Sequence, residues 1–180
     1  EIQPNIREWD ERGEAHPEVF AKMGELGYLG APVPEEWGGA GLDYVSFAIL
    51  CEELERVDTA YRVVMSVHVG LNSLALLQWG TDEQKRRWLV PQAQGRKLAT
   101  FGLTEPGVGT DAGALQSTAR REGDVYVLNG SKIWISLADL ADHIERQRLV
   151  GHGHTIQHTL DHVHQFVAND HHLLTALKTP

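Results

Sequence analysis

Cysteine is nearly absent. Cys51 stands alone among 180 residues, so neither an intramolecular disulfide framework nor a cysteine-based metal site can form. Cys51 falls in an apolar helical pattern, which predicts a buried small hydrophobe rather than a reactive thiol. Basic residues are in deficit, 16 against 25 acidic ones, for a formal charge of −9. A nucleic-acid or anionic-membrane surface needs a clustered excess of Lys and Arg, so neither partner is expected. No charged-then-apolar leader opens the chain. Its most apolar stretch, Val63 to Leu77, is interrupted by Ser66, His68, Gly70, Asn72 and Ser73, too short and too polar to cross a bilayer. A soluble, intracellular protein is the expectation.

Histidine is unevenly placed. Of ten, only His16 and His68 precede residue 143. Residues 143–180 carry Glu145, Asp161 and Asp170 against Arg146, Arg148 and Lys178, so the whole negative charge belongs to residues 1–142. A composition boundary near residue 142 follows.

The first 95 residues have a helical pattern. Pro17 suits a first helical turn, with Val19, Phe20, Met23 and Leu26 on one face and Gly27 as a stop. Ala31 to Gly41, rich in Pro and Gly, predicts an ordered loop. Phe47, Leu50, Cys51 and Leu54 share a helix face opposite Glu52, Glu53, Glu55 and Arg56. Asp58 or Thr59 can cap the next helix, which is apolar nearly all round and so should be buried on most sides. Thr81 with Gln84 makes a capping box for Asp82 to Gln94, and Gly95 ends that helix.

After Gly95 the pattern turns to strands. Leu98 to Leu103 is one; Ser117 to Arg121 and Val125 to Leu128 flank a Glu122-Gly123-Asp124 turn; Asn129-Gly130 predicts a hairpin into Lys132 to Ile135. The fold class is therefore α+β: an N-terminal helical bundle (1–95), then a partial antiparallel β domain (96–142) with unpaired edges. Residues 143–180 form a separate His-rich tail. There Ile156, Leu160, Val163 and Val167 predict a helix, with His154, His158 and His162 as a second stripe. Histidines four apart can chelate Zn²⁺ or Ni²⁺, but the abrupt change of composition favours accidental spacing, and no metal is expected.

Two segments carry chemistry. Phe101 to Gly113 is a strand opening into a Gly-rich loop studded with hydroxyls, where backbone N–H groups can meet an oxygen-rich ligand. It is neither a Rossmann fingerprint nor a P-loop. In Asn129 to Ser136, Trp134 and Ser136 fall on one face of the expected strand, placing an indole beside a hydroxyl for a flat heteroaromatic ring.

Together, Leu103 to Asp111 and Asn129 to Ser136, with Val33 to Gly41 and Trp79 to Lys85 in support, resemble the acyl-CoA dehydrogenase family over about residues 15–142. The resemblance implies a helical domain, a middle β domain and a C-terminal bundle, with FAD as cofactor and an acyl-CoA thioester as substrate. It implies that Phe101, Leu103 and Thr104 line the flavin, with Thr104 bonding the isoalloxazine edge. Gly109 and Thr110 would touch the cofactor and the CoA arm, Thr110 thereby contacting substrate. Trp134 and Ser136 would lie against the ring and its phosphate-bearing tail. Electron-transfer flavoprotein as partner, a homo-oligomer and a cytoplasmic or, in a eukaryote, mitochondrial-matrix setting are implied likewise. Glu105 matches a structural position and His68 a core one. The family's catalytic carboxylate lies in the C-terminal region, so no catalytic residue is assigned, and turnover by this chain alone is not expected. From Ile144 onward the resemblance stops. Two other readings stay open: an acyl-CoA oxidase or flavin monooxygenase on the same scaffold, and a non-catalytic, His-rich binding module.

Overall fold

The computed structural model describes residues 2–14, 16–122, 125–138, 140–146, 149–150, 154–155, 158–159 and 175–178; for 121–122, 125–128 and from 143 onward only the backbone is described. The chain divides into two compact units, Glu1–Ala99 and Thr100–Pro180.

The first unit is helical. Helix α1 (Ile6–Arg12) precedes α2 (Pro17–Glu25), which begins with proline in its first turn and buries Val19, Phe20 and Met23. The Trp9 ring stacks on His16 at 3.9 Å, and Phe20 meets Tyr61 at 5.6 Å. Helix α3 (Tyr44–Val57) is capped by the Asp43 carboxylate, which accepts from Ser46 N at 2.7 Å. Its charged face is exposed as expected, but its apolar face is only partly covered. Leu54 alone is buried; Phe47, Leu50 and Cys51 are half-buried. The expected burial of Cys51 is corrected accordingly, because no element packs fully over this face within the unit. Partial burial still raises the Cys51 thiol pKa.

Asp58 caps α4 (Thr59–Trp79) through a 2.7 Å bond from Ala60 N. This helix runs 21 residues, longer than the apolar stretch suggested, and by length and composition it could cross a membrane. Within the unit it is the core helix: Tyr61, Val64, Met65, Val69 and Leu76 are buried. Its middle, Met65–Ser73, is wound as a π-helix, and side chains serve carbonyls five residues back. Asn72 Nδ2 donates to Val67 O at 3.0 Å and Ser73 Oγ to His68 O at 3.1 Å.

The Thr81–Gln84 capping box opens α5 (residues 82–93), and Gly95 at φ 68° follows its end. Val33, Leu76, Trp88, Leu89 and Ala93 form a core cluster with Trp37 packed against it. The loop 31–41 is ordered, as expected, though it contains a 3-10 turn at Glu35–Trp37.

His68 is a satisfied core residue with no solvent exposure. Ala99 N donates to its Nδ1 at 3.0 Å, and its Nε2 lies 3.1 Å from Gln92 O. A backbone N–H can only donate, so Nδ1 carries the lone pair and Nε2 the proton.

Strands follow. β1 (Ala99–Gly102) joins β4 (His143–Arg146) and β7 (His158–Thr159) in one sheet. β2 (Thr118–Glu122) and β3 (Val125–Asn129) form the expected antiparallel hairpin, pairing Thr118 with Asn129 and Glu122 with Val125. Residues 123 and 124, the expected turn, lie outside the described residues. β5 (Leu149–Val150), β6 (His154–Thr155) and β8 (Thr175–Lys178) complete a sheet ordered β6-β5-β2-β3-β8.

Two expectations change here. The hairpin edges are not left open, because β5 pairs with β2 in parallel and β8 with β3 antiparallel. The tail is extended rather than helical at residues 154–155 and 158–159, where ladder partners at Leu149, Val150, Glu145 and Arg146 determine the backbone. His162 lies outside the described residues, as do the side chains of His154 and His158.

Candidate functional site

β1 delivers the chain into the loop 103–117, and local chemistry decides its path. Pro106-Gly107 turns the chain back so that Glu105 and Val108 exchange two backbone bonds of 3.0 Å. Val108 and Leu115 are buried beneath the loop, while Gly109, Thr110 and the 3-10 turn Ala112–Ala114 are exposed.

The second segment, 130–137, runs beside the first. Ile133 N donates to Thr104 O at 2.9 Å, Lys132 Nζ donates to Leu103 O at 2.8 Å, and Thr100 Oγ1 bonds to Ser136 O. Thr104, Trp134 and Ser136 are thus brought to one region of the second unit, with Phe101 and Leu103 half-buried along it. Gly109 and Thr110 stand apart on the exposed loop.

The segment is not the strand its alternation suggests. Trp134 and Leu137 adopt φ of 58° and 63°, the left-handed region that costs a non-glycine residue energy. Trp134 and Ser136 therefore do not share a strand face. The anchoring bonds of Lys132, Ile133 and Ser136 to residues 100–105 override local β propensity. Trp134 ends up 87% exposed, a large apolar ring with little packing to account for its position.

Glu105 is buried and its carboxylate fully engaged. It accepts from Gln116 N at 2.7 Å, Ser117 N at 3.0 Å and Lys132 Nζ at 2.8 Å. Burial alone pushes this carboxyl up, but the bonds from Lys132, Ser117 and Gln116 outweigh it and hold the pKa at about 2. A carboxylate so held is a poor general base. The structural role expected for Glu105 stands, and Lys132 is the partner that sequence reasoning missed. The available signal was charge: a lone lysine in one segment and a lone glutamate in the other.

The segments meet tightly at Gly130, whose φ is 145°. An added Cβ there would overlap Ser117 Oγ and stand 2.7 Å from Ser117 Cα. Gly130→Ala is expected to destabilise the second unit by about 1–3 kcal/mol, the usual range for overpacking, checked by urea denaturation followed by Trp134 fluorescence. An unchanged midpoint would contradict this close approach.

Such an arrangement can offer hydroxyls, backbone groups and an exposed indole to a flat, polar-edged ligand. Among the described residues no cluster of His, Cys, Asp or Glu could hold a metal ion.

Comparison with known proteins adds the family. Residues 1–96 match the acyl-CoA dehydrogenase N-terminal domain and residues 100–158 the acyl-CoA dehydrogenase middle domain. The second match runs on to residue 158, which corrects the expectation that the likeness stops at Ile144. The domain pattern continues past the last short motif, which ends at Ser136. A short-chain specific acyl-CoA dehydrogenase of Clostridium acetobutylicum is 45% identical over 142 residues, 79% of this chain and 38% of the relative. The structure of butyryl-CoA dehydrogenase from Megasphaera elsdenii superposes with a TM-score of 0.83 at 34% identity, over 89% of this chain and 44% of that one. A glutaryl-CoA dehydrogenase from Mycobacterium smegmatis in complex with FADH2 gives 0.84 at 33% identity, over 89% and 41%. The chain thus spans 38% of the length of that curated relative from Clostridium. With matches to two successive domains of one family and this extended identity, the chain belongs to the acyl-CoA dehydrogenase family.

Proposed function

We propose that this chain carries the flavin-contacting part of an FAD-dependent acyl-CoA dehydrogenase, acting between Cα and Cβ of an acyl-CoA thioester. The observation that carries the reading is the backbone bond from Ile133 N to Thr104 O, which lays the segment of one motif alongside that of the other. The residues present fit a flavin. Trp134 is exposed without packing to explain it, and the space above Gly107 and Gly109 is open to an approaching ligand, with nothing within 4 Å of an added Cβ.

When bound, FAD supplies the hydride acceptor. Phe101, Leu103, Thr104, Trp134 and Ser136 would hold it, Thr104 donating to the ring edge and Trp134 covering a face. Gly109 and Thr110 would contact the CoA arm and the cofactor. Glu105 takes no proton, being committed to Lys132 and two amides. The short-chain specificity named for one relative supports a short acyl group as substrate. A flavoprotein electron acceptor, a homo-oligomer and a cytoplasmic or mitochondrial-matrix setting belong to the same reading.

FAD titration followed by flavin fluorescence tests it. Thr104→Ala should weaken binding by about 1–2 kcal/mol, the worth of one hydrogen bond and its unpaired partner. Identical titrations for wild type and a Thr104→Ala, Trp134→Ala double variant would reject the assignment.

A further inference from the structure

We propose that the buried Glu105–Lys132 pair is a positioning clamp, which sets Thr104 and Trp134 in register so that both meet one ligand. The inference rests on the flavin reading for the identity of that ligand, but not for the clamp itself.

The two side chains are 5% and 4% exposed, with Nζ 2.8 Å from Oε1. An ion pair withdrawn from water this far recovers little net stability, and an apolar pair of similar volume often does as well or better. What an apolar pair lacks is direction. Here the ammonium donates to both Glu105 and Leu103 O, and the carboxylate gathers the amides of Gln116 and Ser117. Three segments that share no strand ladder are thereby fixed to one another: 103–105, 116–117 and 132–133.

The ligand-facing groups sit immediately beside these anchors. Thr104 lies between Leu103 and Glu105, both clamp partners. Trp134 is two residues from Lys132 and holds a left-handed φ of 58° that its own sequence does not favour. Between the segments at this point runs the bond from Ile133 N to Thr104 O. A slip of one residue would shift Trp134 relative to Thr104, and the directional bonds of the ion pair to Leu103 O, Gln116 N and Ser117 N resist that slip from both sides.

The test replaces the pair by apolar residues in the 180-residue chain, Glu105→Leu with Lys132→Met, and reads three quantities. Thermal midpoint reports folding, hydrogen exchange at Ile133 N reports register, and FAD titration reports the ligand face. The expected result is a folded variant in which Ile133 exchanges at least tenfold faster, Ala119 and Tyr126 amides in the β2–β3 ladder are unchanged, and FAD affinity falls at least tenfold. Glu105→Gln removes the charge and keeps one acceptor oxygen for the two amides that Glu105 now serves with both oxygens, and it takes the place of the double variant should that variant not fold. It should lose FAD affinity about fivefold and melt at a lower temperature than wild type, because the Lys132 ammonium stays buried without its counter-charge. Unchanged Ile133 exchange and FAD affinity within twofold of wild type, in either folded variant, would overturn the clamp. If wild type and Thr104→Ala, Trp134→Ala titrate alike with FAD, the flavin reading fails; the Ile133 exchange then still decides for or against the clamp.

Discussion

Lowering the pH from 7 to 4 is expected to cost the helical unit about 3 kcal/mol through His68 alone. Burial drives the His68 pKa down from 6.5 to about 4. The neutral ring is held by Ala99 N donating to Nδ1 and by Nε2 against Gln92 O. Protonating Nδ1 would set one N–H against another. In the unfolded chain the same imidazole takes a proton near 6.5, so between 6.5 and 4 the unfolded state binds more protons. Stability is then full above 6.5 and falls as pH drops toward 4, at about 1.4 kcal/mol per pH unit. Below 4 the folded ring protonates as well and the loss levels off. Glu105, and Glu18, Glu55 and Asp43, whose carboxyls are likewise held below their ordinary values by hydrogen bonds, contribute only as the pH falls toward 4.5 and below, so measurements at pH 7, 6.5, 6 and 5.5 isolate the histidine. Urea denaturation followed by tryptophan fluorescence should show the slope. His68→Gln supplies an acceptor and a donor with no titration, and its stability should be flat across that range. A slope equal to that of wild type would assign the acid sensitivity elsewhere.

Much of the helical unit was legible because its signals are local. Pro17, the Asp58 cap, the Thr81–Gln84 box and the stops at Gly27 and Gly95 each depend on residues within one turn of the chain. Burial along α3 was less legible, since periodicity identifies an apolar face but not what lies against it. Tyr44, Val45 and Ile49 remain 68%, 70% and 54% exposed. Trp134 shows the other failure. Alternation in Lys132 to Ser136 favours a strand, yet bonds to Leu103, Thr104 and Glu105, nearly thirty positions earlier, impose a left-handed turn. The tail fails for a similar reason. A spacing of four apolar residues suggested a helix, but β4 and β5 supply ladder partners to 154–155 and 158–159, and pairing decides the backbone. For the candidate site, the two motifs read from the sequence do lie side by side, with Ile133 N bonded to Thr104 O, whereas the Glu105–Lys132 ion pair between them is a tertiary contact without a local pattern.

Gly39→Ala should be the most damaging small substitution in the helical unit. The loop it belongs to is folded back upon itself: Ala40 N donates to Gly30 O at 3.0 Å, Gly41 N to Val33 O at 2.9 Å, and Leu42 N to Ala31 O at 2.8 Å. These bonds bring the backbones of 30–33 and 39–42 into direct contact. A Cβ at position 39 would overlap the Val33 carbonyl oxygen and stand 2.5 Å from Val33 Cβ and 2.6 Å from Gly30 O. Two of those three neighbours are backbone atoms and cannot rotate aside. Val33 and Trp37 in turn belong to the packing around Leu76, Trp88, Leu89 and Ala93, so a shift in the loop is felt in the core. The expected loss is at or above the upper end of the overpacking range, about 3 kcal/mol. For a unit of this size that corresponds to a fall in Tm of roughly 12–24 °C. Glu36→Ala, at an exposed position of the same loop, should stay within about 0.5 kcal/mol of wild type. Circular dichroism melts of the two variants separate the explanations. If both lower Tm alike, the loop is sensitive to any change; if only Gly39→Ala does, the close backbone approach is the cause.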